Sequence, residues 1–318
     1  MERGGGDGDI SFGGSRRLHV SSLGKTYFPE TGATKGALMR YYAHIWPFLR
    51  PHVDGRPLVL QRHPDGVGGP VFFQQNAGPR VPDGVRVETL DTVEEGPKPR
   101  FVGGDLLTLL HTVQLGAIEV HPWLARTTSI DHPDRCLIDL DPADDVPFSQ
   151  VVALTRDILA IAKQCELPAA VKTSGASGMH IVIPLPPKTT WATSAELAQL
   201  LAGIAAASQP EVATTERSIR KRPKGTIYVD AMQNARGKSM ASAYSVRAKP
   251  GATVSTPLSP RELTPRLRTS TFTLRTMAAR VTRKGDTWGE ALAKVPTARA
   301  LKQAMRALEE VLGNAATT

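Results

Sequence analysis

Two aspartates two residues apart, Asp139 and Asp141, sit in the apolar run Cys136-Leu137-Ile138-Asp139-Leu140-Asp141-Pro142. Read as a strand, the run sends successive side chains to opposite faces, so Leu137, Asp139 and Asp141 share one face. Neighbouring carboxylates repel and are driven toward protonation unless a cation lies between them, and a divalent metal is the usual remedy. The competing reading is that the aspartates cap a following helix, since Asp and Pro are common at strand ends and helix starts. A third acid, Asp230, ends the run Gly225-Thr226-Ile227-Tyr228-Val229-Asp230. Three such carboxylates are what a two-metal phosphoryl-transfer centre needs, with ions about 4 Å apart holding the attacking and leaving oxygens. An Asp at a strand end is also an ordinary turn residue.

The stretch Ser174-Gly175-Ala176-Ser177-Gly178-Met179-His180 joins two further β-like runs. Its glycines allow backbone N–H groups to converge on an anion, Ser174 and Ser177 can add hydroxyl donors, and His180 suits a phosphate. Taken alone, a Gly-rich hairpin with one histidine is more often just a turn. Arg220, Lys221, Arg222 and Lys224 precede the Asp230 strand, and Arg236, Lys238 and Arg247 follow it; these could neutralise a triphosphate or a nucleic-acid backbone, or simply face solvent. Phe72 and Phe73 are adjacent, so in a strand they point opposite ways; one of them exposed could stack on a base, whereas the plain reading places them in the core.

These residues need a scaffold of alternating strands and helices. Residues 1–15 are Gly-rich and read as a flexible tail. A helix is predicted from Thr34, its N-cap, to Phe48; helices are predicted also over 106–115, after Pro147, and from a Thr193/Glu196 capping box toward Pro210. Strands are expected at 18–20, 71–74, 117–121, 136–141, 169–172, 179–185 and 225–230, and residues 294–318 read as a helical extension. The alternation points to an α+β or α/β layered fold, with neither an internal repeat nor a linker that divides the chain cleanly.

The 318 residues carry a formal charge of +9. The excess is lopsided: from residue 211 onward there are 20 Lys/Arg against 8 Asp/Glu, while the first 210 residues carry 19 against 22. A basic half of this kind points to a polyanionic partner, nucleic acid before membrane. The only cysteines, Cys136 and Cys165, fall on apolar faces and read as small buried hydrophobes, consistent with a reducing cytoplasm. Neither a signal-peptide core nor an apolar run of about 20 residues is present, so an intracellular, nucleoid-associated protein is expected.

The motifs D-L-D-P (Asp139–Pro142), S-G-A-S-G-M-H (Ser174–His180) and Y-V-D-A-M-Q-N (Tyr228–Asn234), in this order and at these separations, resemble the archaeo-eukaryotic primase superfamily. Specifically, they resemble the polymerase domain of bacterial ligase D and its stand-alone relatives. The resemblance runs from about Leu18 to Leu292 and includes K-x-Y-F-P (Lys25–Pro29), R-H-P-D-G (Arg62–Gly66), F-F-Q (Phe72–Gln74), E-V-H-P-W (Glu119–Trp123) and Y-S-V-R-A-K-P-G (Tyr244–Gly251). It implies a primase-polymerase domain over 16–293: a catalytic core with an RRM-like antiparallel sheet, a second β-rich subdomain and flanking helices. By resemblance, Asp139, Asp141 and Asp230 are metal ligands for two Mn²⁺ or Mg²⁺ ions. Ser174, Ser177, His180, Gln233, Lys238 and Arg247 bind the nucleoside triphosphate, and His121 touches the ribose 2′-hydroxyl. Lys25 and Lys35 receive a downstream 5′-phosphate, Phe72 and Phe73 stack on template bases, and Arg62, Arg222 and Lys224 contact DNA.

The implied activity is template-dependent nucleotidyl transfer that fills gaps or broken ends, favouring ribonucleotides, in end joining or excision repair. The implied partners are gapped or broken DNA bearing a 5′-phosphate, with a separate ligase and Ku; a monomer is expected. Two alternatives are a non-catalytic end-binding module that recruits a ligase and a metal-dependent nuclease. Three departures from the family pattern stand out: Ser177 replaces a frequent basic residue, Gln75 a frequent lysine, and Pro260 a usual tryptophan. The chain carries no K-x-D-G ligase motif, so sealing is expected of another protein or domain.

Overall fold

The apolar period-two runs around Asp139 and His180 form the middle of a six-stranded sheet in a computed structural model that describes residues 7–92 and 96–315. The chain folds as two units built from interleaved segments, residues 1–128, 239–255 and 270–285 in one, and 129–238, 256–269 and 286–318 in the other. Because each unit recruits distant segments, no linear boundary separates them, which is why no linker is legible.

In the second unit the strand order is Ala213–Thr214, Ile227–Asp230, Arg135–Pro142, Met179–Pro184, Ala170–Thr173, Pro257–Leu258. All neighbours are antiparallel except the first pair, giving the RRM-like antiparallel sheet expected from the resemblance. Helices Phe148–Gln164 and Trp191–Ser208 lay Val151, Leu154, Ile158, Leu197 and Leu201 into the core. The second of these starts three residues earlier than expected: the Thr190 hydroxyl, not that of Thr193, accepts the cap bond, from the Thr193 N–H. The helix Ala298–Ala315 packs along Trp191–Ser208, burying Leu301, Ala304 and Leu308. At Gly203 a Cβ would lie in ordinary contact with Leu312, 3.4 Å away, so the two helices pack closely there. The expected extension is therefore part of this unit.

The first unit is β-rich. Its helix Lys35–Val53 is capped by the Thr34 hydroxyl, as its spacing predicts, and buries Leu38, Tyr42, Ile45 and Leu49. A three-stranded sheet runs Phe72–Gln74, Leu58–Arg62, Ala117–Pro122. The expected flexible tail needs correction. Although residues 1–6 lie outside the described residues, Gly8–Ser11 is a strand antiparallel to Arg17–Val20. Gly13 and Gly14, at φ +87° and +59°, turn the chain back in a conformation that glycine adopts without steric cost.

Candidate active site

Residues directly opposite in an antiparallel pair point to the same face. The register sets Lys172 opposite His180, His180 opposite Asp139, and Asp139 opposite Asp230, so four strands place one polar row across one face of the sheet. Burial falls along it: Lys172 and His180 are buried, while Asp139 is partly open. Lys172 Nζ lies 2.7 Å from His180 Nδ1, and His180 Nε2 lies 3.4 Å from Asp139 Oδ1. With Lys172 as an ammonium, which only donates, Nδ1 accepts and a neutral His180 carries its proton on Nε2, toward Asp139. Lys172 Nζ also stands 5.9 Å from the Trp288 ring centroid. Lys172 is absent from the residues expected from the sequence, because a lysine ending an apolar strand gains a role only once His180 is set opposite it.

Asp141, one row on, faces Tyr228. Its carboxylate lies 3.4 Å from Arg222 Nη1, whose guanidinium stacks 3.9 Å above the Tyr228 ring. Asp230 accepts bonds from the Met232 N–H at 2.7 Å, Gln233 Nε2 at 3.0 Å and the Tyr228 hydroxyl at 3.3 Å. Burial and then the Asp230 charge raise the Tyr228 phenol above its ordinary pKa. Beyond Asp230 the ladder ends, and the Asn234 side chain replaces it: its Oδ1 accepts from the Leu137 N–H at 2.8 Å and its Nδ2 donates to the Leu137 carbonyl at 2.7 Å.

The three acids form an all-oxygen donor set suited to hard divalent cations. Among the described residues, however, no group of three or more His, Cys, Asp or Glu side chains stands arranged to hold a metal ion. The three carboxylates instead face separate partners: Asp139 faces His180, Asp141 faces Arg222 and Asp230 faces Gln233.

The glycine-rich turn differs from the open nest expected. The Ser174 hydroxyl oxygen accepts from the N–H groups of Ala176 at 3.1 Å and Gly178 at 3.0 Å, so those two donors are engaged internally. Ser177 is exposed at the tip. Gly178 lies so close to the Asp139 strand that a Cβ would fall 1.9 Å from the Leu140 carbonyl oxygen, which fixes the turn against the acids. Lys224 and Lys238 are exposed in this same unit.

The first unit assembles a second cluster. Glu119 is 4% exposed and accepts from His121 Nε2 at 2.7 Å, Arg247 Nε at 2.8 Å and the Ala248 N–H at 2.8 Å. Burial alone would raise its pKa, but the His121 bond and the Arg247 charge outweigh burial and hold it down at about 2. Glu119 was quoted in a motif but given no role. Of the residues expected to meet DNA, Phe72 and Phe73 are both exposed, at 54% and 74%, on an edge strand, against the core reading. Lys25 pairs with Asp65 at 2.6 Å. Lys35 is buried, bonded to the carbonyls of Ser21 and Gln114, and its pKa is lowered to about 8 by burial and by Lys25. Arg62 braces the edge strand through the Leu115 carbonyl and Gln74. Gln75, at a position that departs from the family pattern, accepts from Arg100 at 2.8 Å.

Residues 34–288 match the family model described as LigD, primase-polymerase domain. The chain is 33% identical over 247 residues to the multifunctional non-homologous end joining protein LigD of Pseudomonas aeruginosa, an alignment covering 77% of this chain and 29% of that protein. It is 30% identical over 271 residues to the bifunctional non-homologous end joining protein LigD of Bacillus subtilis, covering 85% and 43%. The chain thus spans less than half the length of these relatives. Among solved structures, the polymerase domain from Mycobacterium tuberculosis ligase D in complex with DNA matches with a TM-score of 0.81 at 26% identity, covering 88% of this chain and 99% of that one. With its family model matched from residue 34 to 288 and a relative at 33% identity, the chain belongs to the LigD primase-polymerase domain family.

Proposed function

We propose that the protein adds nucleotides to a DNA primer end on a template strand, filling short gaps or broken ends during end joining. The observation that carries this reading is the row in which Asp230, Asp139 and His180 face one another across three strands. Asp139, Asp141 and Asp230 would hold two divalent cations, Mn²⁺ or Mg²⁺, whose charge supports in-line attack of the primer 3′-hydroxyl on the α-phosphorus and departure of pyrophosphate. His180, with its Nε2 proton directed at the acids, donates to the triphosphate, while the Ser174 turn, closed by its own hydrogen bonds, packs against the Asp139 strand. Exposed Lys224 and Lys238 add positive charge for phosphates, and Phe72 and Phe73 offer flat surfaces to unpaired template bases. His121 reads the ribose 2′-hydroxyl, which favours ribonucleotides, and Lys25 takes the downstream 5′-phosphate by exchanging Asp65 for it. The relatives named for non-homologous end joining and the DNA-bound neighbour support this role, with a ligase and Ku as cooperating partners; excision-repair gap filling uses the same chemistry.

The test offers a gapped duplex with a 5′-phosphate, Mn²⁺ and single nucleotides to the wild type. Template-matched extension is expected. Shortening of the primer would favour a nuclease, and tight binding without extension an end-binding module.

A further inference from the structure

Glu119 and His121 alternate by two along the strand Ala117–Pro122 and therefore share a face. Glu119 is the more deeply buried, and three donors converge on its two oxygens: His121 Nε2 and Arg247 Nε at Oε2, and the Ala248 N–H at Oε1. The His121 and Arg247 side chains keep 20% and 17% of their surface open, so their outer ends reach solvent while their inner ends are fixed on one carboxylate. An ionised carboxylate only accepts, so the contact at 2.7 Å requires the proton of His121 on Nε2. In the neutral ring Nδ1 is then left as an acceptor.

We infer that Glu119 is a positioning residue that fixes which His121 nitrogen carries the proton and anchors the Arg247 guanidinium, so that His121 offers an acceptor to a sugar hydroxyl donor. The inference rests on the ribose reading of His121 given above. A 2′-hydroxyl can donate to Nδ1; a 2′-deoxyribose leaves that acceptor unmatched, and a site built around a hydroxyl bond discriminates against the analogue that lacks it. Gln at position 119 keeps the size, but its amide can donate as well as accept, so it no longer dictates the tautomer.

Two readouts test this. In the wild-type chain at mildly alkaline pH, nitrogen-15 NMR of His121 should show the proton on Nε2 and a bare Nδ1; a proton on Nδ1 overturns the inference whether or not any nucleotide is used. On a gapped duplex, the ratio of kcat/KM for a ribonucleotide to that for the matching deoxyribonucleotide is then measured for wild type, Glu119→Gln, His121→Ala and the double variant. Disturbance of Arg247 affects both sugars and cancels in the ratio. Glu119→Gln should lower the ratio about tenfold, the loss of roughly one hydrogen bond, and should lower it no further in the His121→Ala background. A ratio that falls in His121→Ala but not in Glu119→Gln overturns the inference and leaves the ribose reading intact. An unchanged ratio in both overturns the ribose reading and, with it, the sugar role of Glu119. If Glu119→Gln fails to fold, as judged by thermal melting, the wild-type tautomer still decides.

Discussion

Asp139 and Asp230 stand directly opposite each other on neighbouring antiparallel strands, yet their carboxylates turn to different donors, His180 for one and Gln233 with the Met232 N–H for the other. The backbone thus holds two acids side by side while the side chains relieve their repulsion through separate bonds. A cation bound between them would compete with these hydrogen bonds. Four consequences can be measured on the chain itself.

Asn234 is buried and supplies both partners for the backbone of Leu137 where the sheet ladder stops. Replacing it with Ala leaves a buried N–H and a buried carbonyl unpaired, so Asn234→Ala should lower unfolding stability by about 2–4 kcal/mol. Urea denaturation measures this; a change under about 0.5 kcal/mol, the range of a neutral surface substitution, would contradict the assigned role.

Lys172 acts on the site through His180. Lys172→Met keeps a long apolar stem but removes the donor to Nδ1, so the ring is free to place its proton on either nitrogen. Because the substitution leaves the buried His180 Nδ1 without its donor, unfolding stability should fall, by about 1–3 kcal/mol. Catalytic efficiency with nucleotide should also fall, by about tenfold or more. Steady-state kinetics at a temperature where melting shows the variant folded separates the two; unchanged catalytic efficiency in the folded variant would make Lys172 merely structural.

The carboxylate of Glu119 carries a pH signature. Its folded pKa, about 2, lies below the ordinary value of 4.5, so the folded state binds its proton more weakly than the unfolded chain does. That contribution is fully present above pH 4.5 and disappears as pH falls through about 2. By linkage it is worth about 3 kcal/mol. The stability difference between wild type and Glu119→Gln should therefore be flat above about pH 5 and narrow on acidification. A difference that grows as pH falls has the wrong sign for this account.

Phe72 and Phe73 lie on the open side of a sheet edge and bury little. Phe73→Ala should change stability by less than about 0.5 kcal/mol. It should weaken binding of a gapped duplex by about 1–3 kcal/mol if the ring stacks on a base. Fluorescence anisotropy with a labelled gap substrate tests this, and unchanged affinity would remove the stacking role.

Local rules carried much of the fold into the sequence. Thr34 caps its helix because a hydroxyl there meets the Ala37 N–H, and the period-two run through Asp139 is a strand because both of its faces have work to do. Three features were not legible. Gly8–Ser11 lies in a glycine-rich segment whose composition argues against order, and only pairing with Arg17–Val20 makes it a strand. Interleaving of the two units depends on contacts between segments more than 100 residues apart, which no local pattern encodes. Lys172 was hidden because its meaning comes from register: a lysine in an apolar strand is unexplained until His180 is set opposite it. The facing of Asp139, His180 and Asp230 followed from the motifs, whereas the hydrogen bonds that hold these acids apart required side-chain positions.

On this reading, the row Asp230, Asp139, His180 is the catalytic centre of a templated polymerase. Its most direct test is single-turnover incorporation on a gapped duplex for each templating base, comparing wild type with Asp139→Asn and Asp230→Asn, both shown to be folded by melting. The account predicts template-matched incorporation by the wild type and a loss of at least a thousandfold in each variant, about 4 kcal/mol of transition-state stabilisation. Incorporation at near wild-type rate in either folded variant would contradict it.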